Sequence, residues 1–277
     1  MKLSVLDQSI SLAGAGEDAA IRDTLDLAVH CEKLGYHRFW LSEHHSLATI
    51  VGTAPEILMA AVAARTTRIR IGSAGVMLPH YSALKVAEQF RVLEALAPGR
   101  IDLGVGRAPG ADMRTAQLLN PDAYGAAEKC PQQLRDLQWW TAGEAHHGVV
   151  AHPRGPHLPQ IWVLGSSDYG AQLAAHFGLP YAFAYFFADG QGCEQALELY
   201  RTLYKPSERH PTPQPTICVW ALAADGEAEA THHALSRERW RIDRMRGALG
   251  PLKSPDDIAA RGFTADEQAI VDATRSK

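Results

Sequence analysis

The chain has 277 residues, with 27 Lys and Arg against 31 Asp and Glu, a formal charge of −4 and 46% hydrophobic residues. So large an apolar fraction beside so small a net charge excludes a disordered chain, and the slight acidity argues against a nucleic-acid binder, which is expected to be basic. No window approaches the roughly 20 consecutive apolar residues that cross a bilayer, so no membrane span is expected.

Short strand-like runs alternate with longer amphipathic stretches. The first run, residues 3–6, lies in MKLSVLDQS, where the apolar segment is too short for a signal-peptide core of about 7–15 residues and reads as a strand. Residues 18–34 follow as a helix, with Ile21, Leu25, Ala28 and Val29 on one face and Gly35 as the C-terminal cap. Then come a strand at 38–41, an apolar helix at 54–64, a strand at 69–77, a helix at 84–96 stopped by Pro98-Gly99, and a strand at 101–105. The stretch 107–159 is irregular and rich in Gly, Pro and His, with one helix at 131–140; it is expected to be an insertion near the C-terminal ends of the strands. A strand at 161–164, a helix at 169–177, a strand at 181–187, a helix at 193–204 and a strand at 217–223 complete the series.

Most of these strands are near-continuous apolar runs, the pattern of a parallel sheet covered by helices on both faces. KLGYHRFW, LAPGRIDL and HFGLPYAF each read as helix, Gly, short connection and strand, which implies right-handed β-α crossovers. The fold class is therefore α/β in a single domain spanning 1–277, either an open doubly wound sheet or a (β/α)8 barrel. The length is near the roughly 250 residues of a barrel, and no G-x-G-x-x-G follows the first strand. The four cysteines lie far apart without a C-x-x-C pair, so neither a disulfide framework nor a cysteine metal centre is expected, and a reducing cytoplasmic setting is.

Four clusters at strand ends carry chemistry. In Trp40-Leu41-Ser42-Glu43-His44-His45 an imidazole that titrates near neutrality can exchange protons with a ligand, with Glu43 orienting it; the plain alternative is a surface strand end. Adjacent strand residues face opposite ways, so both His on one ion is poor geometry and no metal centre is expected. The small residues of Gly72-Ser73-Ala74-Gly75 let a flat ligand approach the backbone, or else serve a barrel layer whose neighbours are large. Arg107, a lone cation among Gly104-Val105-Gly106 and Ala108-Pro109-Gly110, suits a phosphate, or else pairs with a loop carboxylate. Gly165-Ser166-Ser167-Asp168 opens a helix, where free N–H groups and hydroxyls suit a phosphate or simply cap the helix. Arg237, Arg239, Arg241, Arg244 and Arg246, interleaved with Glu238 and Asp243, read as a solvated helix face.

LSEHH, GSAGVMLPHYSALKVAEQFRVLEALAPGRIDLGVGRAPG and WVLGSSDYGAQLAAHFGLPYAFA together resemble the bacterial luciferase-like flavin monooxygenases over roughly residues 1–225. The resemblance implies a TIM-type barrel that takes reduced FMN from a separate flavin reductase, adds O2 to give a C4a-peroxyflavin and oxygenates a small organic substrate. It further implies that His44 is the acid/base, that Ala74-Gly75 lies under the flavin ring with a non-proline cis peptide, and that Arg107, Ser166 and Ser167 hold the phosphate. A homodimer is implied too; the apolar helix 54–64 reads either as its shared surface or as the helix a barrel packs against its sheet. Hydride transfer with a deazaflavin, and flavin binding without turnover, are the alternatives. Where the family often shows Ser-His, this chain has Tyr185-Phe186, which with Phe187 suggests a broad apolar pocket. Seven candidate strands leave the family's eighth β-α unit without a counterpart before AIVDATRSK, so a shortened chain, closure by a further segment or a partner chain, or a reduced fold is expected.

Overall fold

A computed structural model describes residues 1–187 and 189–275. The strands β1 (Ser4–Asp7), β2 (Arg38–Leu41), β3 (Arg70–Ser73), β4 (Val76–Met77), β5 (Ile101–Gly106), β6 (Gln160–Gly165), β7 (Tyr181–Ala184) and β8 (Pro215–Cys218) form one parallel sheet. Its path runs β1-β2-β3-β5-β6-β7-β8, with β4 paired to β5, and curls into a nearly closed barrel. Helices α1 (Glu17–Lys33), α2 (Pro55–Arg65), α3 (Ala83–Leu96), α5 (Cys130–Thr141), α6 (Asp168–Phe177) and α7 (Cys193–Leu203) make the crossovers; α4 (Met113–Leu119) lies in the β5–β6 connection, and α8 (Glu227–Met245), α9 (Pro255–Arg261) and α10 (Ala265–Arg275) follow β8.

Alternation along each strand divides two cores. Outward-facing Phe39, Leu41, Ile71, Ile101, Leu103, Tyr181 and Phe183 join Ala28, Met59, Phe90, Leu134 and Ala174 of the helices in one large cluster. Each fully buried side chain of this size contributes roughly 1.5–3 kcal/mol. Trp40, Trp162 and Ala182 face inward with Leu6, Ala74 and Leu164, and the two indoles meet edge-on at 5.2 Å. Below them, at the N-terminal strand ends, the interior turns polar. The fully buried Asp102 accepts from Arg38 Nε (2.9 Å), Arg70 Nη2 (2.5 Å) and Trp40 Nε1 (3.0 Å), and Arg38 reaches Gln160 Oε1 at 3.3 Å. The floor of the barrel is thus an ion-pair layer.

Three expected strands differ in the structure. Residues 69–77 split into β3 and β4 at Ala74-Gly75, a cis peptide. The register explains the break: Gly72 pairs with Asp102 but Val76 with Val105, so four steps on one strand oppose three on the other, as in a bulge. The strand at 181–187 stops at Ala184 and turns as a 3-10 helix over Tyr185–Phe187. The last strand covers 215–218 rather than 217–223, and Val219, Trp220 and Leu222 stay about half exposed beyond it. The stretch 107–159 contains the expected helix as α5, plus α4 and a hairpin at 146–149.

Candidate active site

The C-terminal ends of the strands bring the four clusters to one face. Ala74 N–H donates to Leu41 O (2.7 Å), His45 N–H to Gly110 O (3.1 Å) and His80 Nε2–H to Pro109 O (2.6 Å), which ties the ends of β2, β3 and β5 together. The Arg107 guanidinium lies 4.1 Å above the Tyr169 ring in the first turn of α6, joining the β5 loop to the β6 loop.

His44 is half-buried just past β2. Its main-chain N–H donates to Gly52 O (3.0 Å) and its ring Nδ1 lies 3.3 Å from Ser42 Oγ. Burial pulls its pKa below the usual imidazole value, against the opposing charge of Glu43, so the neutral ring prevails near pH 7. Glu43 orients other groups. Fully buried, it accepts from Met77 N–H (2.9 Å) and from the Tyr81 hydroxyl (2.6 Å), and lies 2.8 Å from His45 Nε2. Of the two histidines, Glu43 therefore orients His45 and does not touch the His44 ring. Burial, then the Glu43 carboxylate, pushes the Tyr81 phenol up.

Arg107 makes no ion pair among the described residues, so the salt-bridge alternative for it is not observed, and its exposed guanidinium keeps its donors. Ser166 and Ser167 are exposed beside it. Ser167 occupies the N-cap of α6, but its hydroxyl makes no capping bond. A lone guanidinium, two hydroxyls and a helix N-terminus form a donor set that fits a phosphate dianion. The glycines on the β3–β5 side serve packing: a Cβ on Gly104 would collide with Ser73 O, and one on Gly75 would lie 2.5 Å from Leu164 Cδ1. Inside the barrel, the buried Trp162 Nε1 has no hydrogen-bond partner.

One side of the mouth is walled by three segments. Ser11 N–H donates to Thr49 O (2.9 Å), Ala13 N–H to Leu252 O (2.9 Å) and Leu252 N–H to Ser11 O (2.8 Å), while the Thr49 hydroxyl donates to Gly250 O. The loops after β1 and β2 are thereby bonded to the chain that follows α8.

Residues 1–275 match the family model described as luciferase-like monooxygenase. The chain belongs to the luciferase-like monooxygenase family. A luciferase-like monooxygenase of Escherichia coli K12 is 42% identical over 267 residues, covering 96% of this chain and 79% of that protein. The crystal structure of apo-MsnO8 superposes with a TM-score of 0.90 at 36% identity, covering 94% of this chain and 78% of that one. The oxygenating constituent of 3,6-diketocamphane monooxygenase from Pseudomonas putida, solved with FMN, gives 0.73 at 19% identity, covering 90% of this chain and 77% of that one, a likeness of fold.

In this luciferase-like monooxygenase the arginine-rich helix α8 departs from a simple solvated face. Arg239 is buried and pairs with the buried Glu267 (2.8 Å) and with Asp243 (2.7 Å), Arg241 pairs with Asp189 (2.9 Å), and Arg237 lies 4.6 Å above Trp220. The clue was present in the alternating charges, but the partner carboxylate is 28 residues downstream and invisible to local spacing. Asp102 and the two arginines on it were missed for a similar reason: one carboxylate inside an apolar strand gives no sign of which cations converge on it. Tyr185 and Phe187 are exposed on the 3-10 turn that follows β7. The apolar helix α2 buries Leu58, Met59 and Val62 against the barrel and leaves Ile57 outward. All four cysteines are free thiols, and among the described residues no helix is long and apolar enough to cross a membrane.

Proposed function

We propose that this luciferase-like monooxygenase is the oxygenating component of a two-component system: it takes reduced FMN from a separate flavin reductase and uses O2 to oxygenate a small organic substrate. The observation that carries the reading is the stacked pair Arg107–Tyr169 at the N-terminus of α6, on the same strand-end face as His44. Reduced FMN would supply the two electrons that reduce O2, one oxygen atom entering the substrate and the other leaving as water.

The chain's own residues would bind, orient and shelter. Arg107, Ser166 and Ser167 would hold the phosphate, with the free N–H groups of α6 adding the positive end of the helix dipole. Ala74 and Gly75 would meet the flavin ring at the end of β3. The Nδ1 of His44 faces Ser42 Oγ, which leaves Nε2 to exchange a proton, and the lowered pKa keeps the ring unprotonated near pH 7. The wall formed by 11–13, 49 and 250–252 would limit water on its side of the mouth. The same reading makes the protein a cytoplasmic homodimer.

The test is an anaerobic mixture with reduced FMN, followed by rapid mixing with oxygenated buffer. Flavin reoxidation should change from its free time course and saturate at a fixed protein-to-flavin ratio. Identical time courses with and without protein would contradict the proposal, and substrate turnover in the absence of O2 would move the protein to hydride transfer.

A further inference from the structure

We propose that Asp136, His146 and His147 form a binding site for a divalent transition metal ion, with Zn2+ as the reference ion. Asp136 lies on α5. Ten residues on, His146 and Val149 exchange main-chain hydrogen bonds, 2.9 Å in each direction, closing a two-residue hairpin. The tip residues His147 and Gly148 both have positive φ, 52° and 75°, the pattern of a type I′ turn. Asn is the residue favoured at the first tip position. Here a histidine occupies it, and its ring comes to the same side as that of His146, with centroids 4.0 Å apart.

One ligand atom from each of the three side chains lies within 4.8 Å of the other two. His146 Nε2 and Asp136 Oδ1 are 2.8 Å apart, a hydrogen bond that a shared ion would replace. A Zn2+ ion there would need side-chain rotation to reach the roughly 2.0–2.2 Å bonds of a Zn–N and Zn–O site. Two imidazoles and a carboxylate are a donor set for borderline divalent ions rather than for Ca2+ or Mg2+.

The ligands are also held from behind. The His146 ring stacks on Trp139 (6.0 Å, 10°) and meets the edge of Trp140 (5.5 Å), whose indole N–H donates to Val149 O (3.2 Å). Gln132 Nε2 donates to Asp136 Oδ1 at 2.7 Å, fixing the carboxylate in the manner of an outer-shell partner. His147 is exposed, so the open side of the site is left to water or to a ligand from outside. The ion would fasten the hairpin to α5, on the outside of the barrel and apart from the strand-end mouth. His146 and His147 are adjacent, as His44 and His45 are, but the positive φ of His147 (52°) puts them in a turn rather than on an extended strand, so the argument that neighbouring rings face opposite ways does not apply to them.

The test is equilibrium dialysis of the untagged full chain against Zn2+ after treatment with a chelator. One equivalent of Zn2+ is expected to be retained, with a rise in the thermal midpoint. His147→Asn supplies the residue the turn prefers, so the fold is kept; it should weaken Zn2+ binding roughly tenfold or more and abolish the rise. Asp136→Asn should weaken binding similarly, while replacing His232 and His233, an adjacent pair on α8, together by Ala should leave it unchanged. Failure to retain Zn2+, or retention unaltered in both His147→Asn and Asp136→Asn, would overturn the proposal.

Discussion

His44 and Arg107 divide the proposed work between them, and each can be removed alone. Replacing His44 by Ala should lower turnover by roughly 10²–10⁴-fold, the usual worth of a positioned acid/base, with little change in flavin affinity; rapid-mixing kinetics beside a binding titration separates the two. Burial holds the His44 pKa below the usual imidazole value, so activity that needs the neutral ring falls as pH drops through that lowered value. The acid limb of the pH–rate profile should therefore lie below the ordinary histidine range and vanish in His44→Ala. Glu43 is a different case. It touches Met77 N–H, Tyr81 and His45, so Glu43→Gln should leave the chain folded but loosen the join between β2 and the segment after Gly75. Faster amide exchange at Met77 is the measurement.

Among the elements, the barrel floor carries the sharpest stability claim. Asp102 is fully buried between Arg38 and Arg70, so Asp102→Ala strands two guanidinium groups at the N-terminal strand ends. Breaking a buried pair by removing one partner costs about 3–5 kcal/mol, and urea unfolding should show a loss of that order. A change below about 1 kcal/mol would mean that water reaches both arginines. The order of strands and helices was legible because helix, Gly and strand recur with steady spacing, and the apolar runs at 38–41 and 101–105 belong to strands buried on both faces. The strand at 69–77 was legible as a run but not as two pieces, since the extra residue opposite Asp102 to Val105 shows only in the register. The site was legible as four separate loops. What joins them is a cation over a ring and main-chain bonds between distant loops, and neither leaves a mark on the composition of any one segment.

For the molecule as a whole, two buried groups contribute to the response to acid. Burial, then the neighbouring Arg209, pushes His210 down to about 4, so the stability its neutral form provides is present above 6.5 and lost as pH falls towards 4. Glu267, hydrogen-bonded by Arg239 and Arg246, is held down to about 2, and its contribution is present above 4.5 and lost between 4.5 and 2. Each amounts to roughly 3 kcal/mol at most. Against the pull of burial, the main-chain N–H groups of Ile69, Arg68 and Thr67 hold Glu32 down to about 2, which adds to the same window as Glu267. Urea midpoints should therefore fall in two stages on acidification, and Glu267→Gln should shrink the lower stage while weakening the hold of α10 on α8.

The central claim is that Arg107 and the α6 N-terminus grip a phosphate at the barrel mouth. Anaerobic titration of reduced FMN against reduced riboflavin, which lacks only that phosphate, tests it most directly. FMN should bind at least roughly tenfold more tightly, since charge-assisted hydrogen bonds contribute about 1.5–3 kcal/mol, and Arg107→Gln should remove most of the difference. Equal affinities for the two flavins in the unaltered protein would contradict the account.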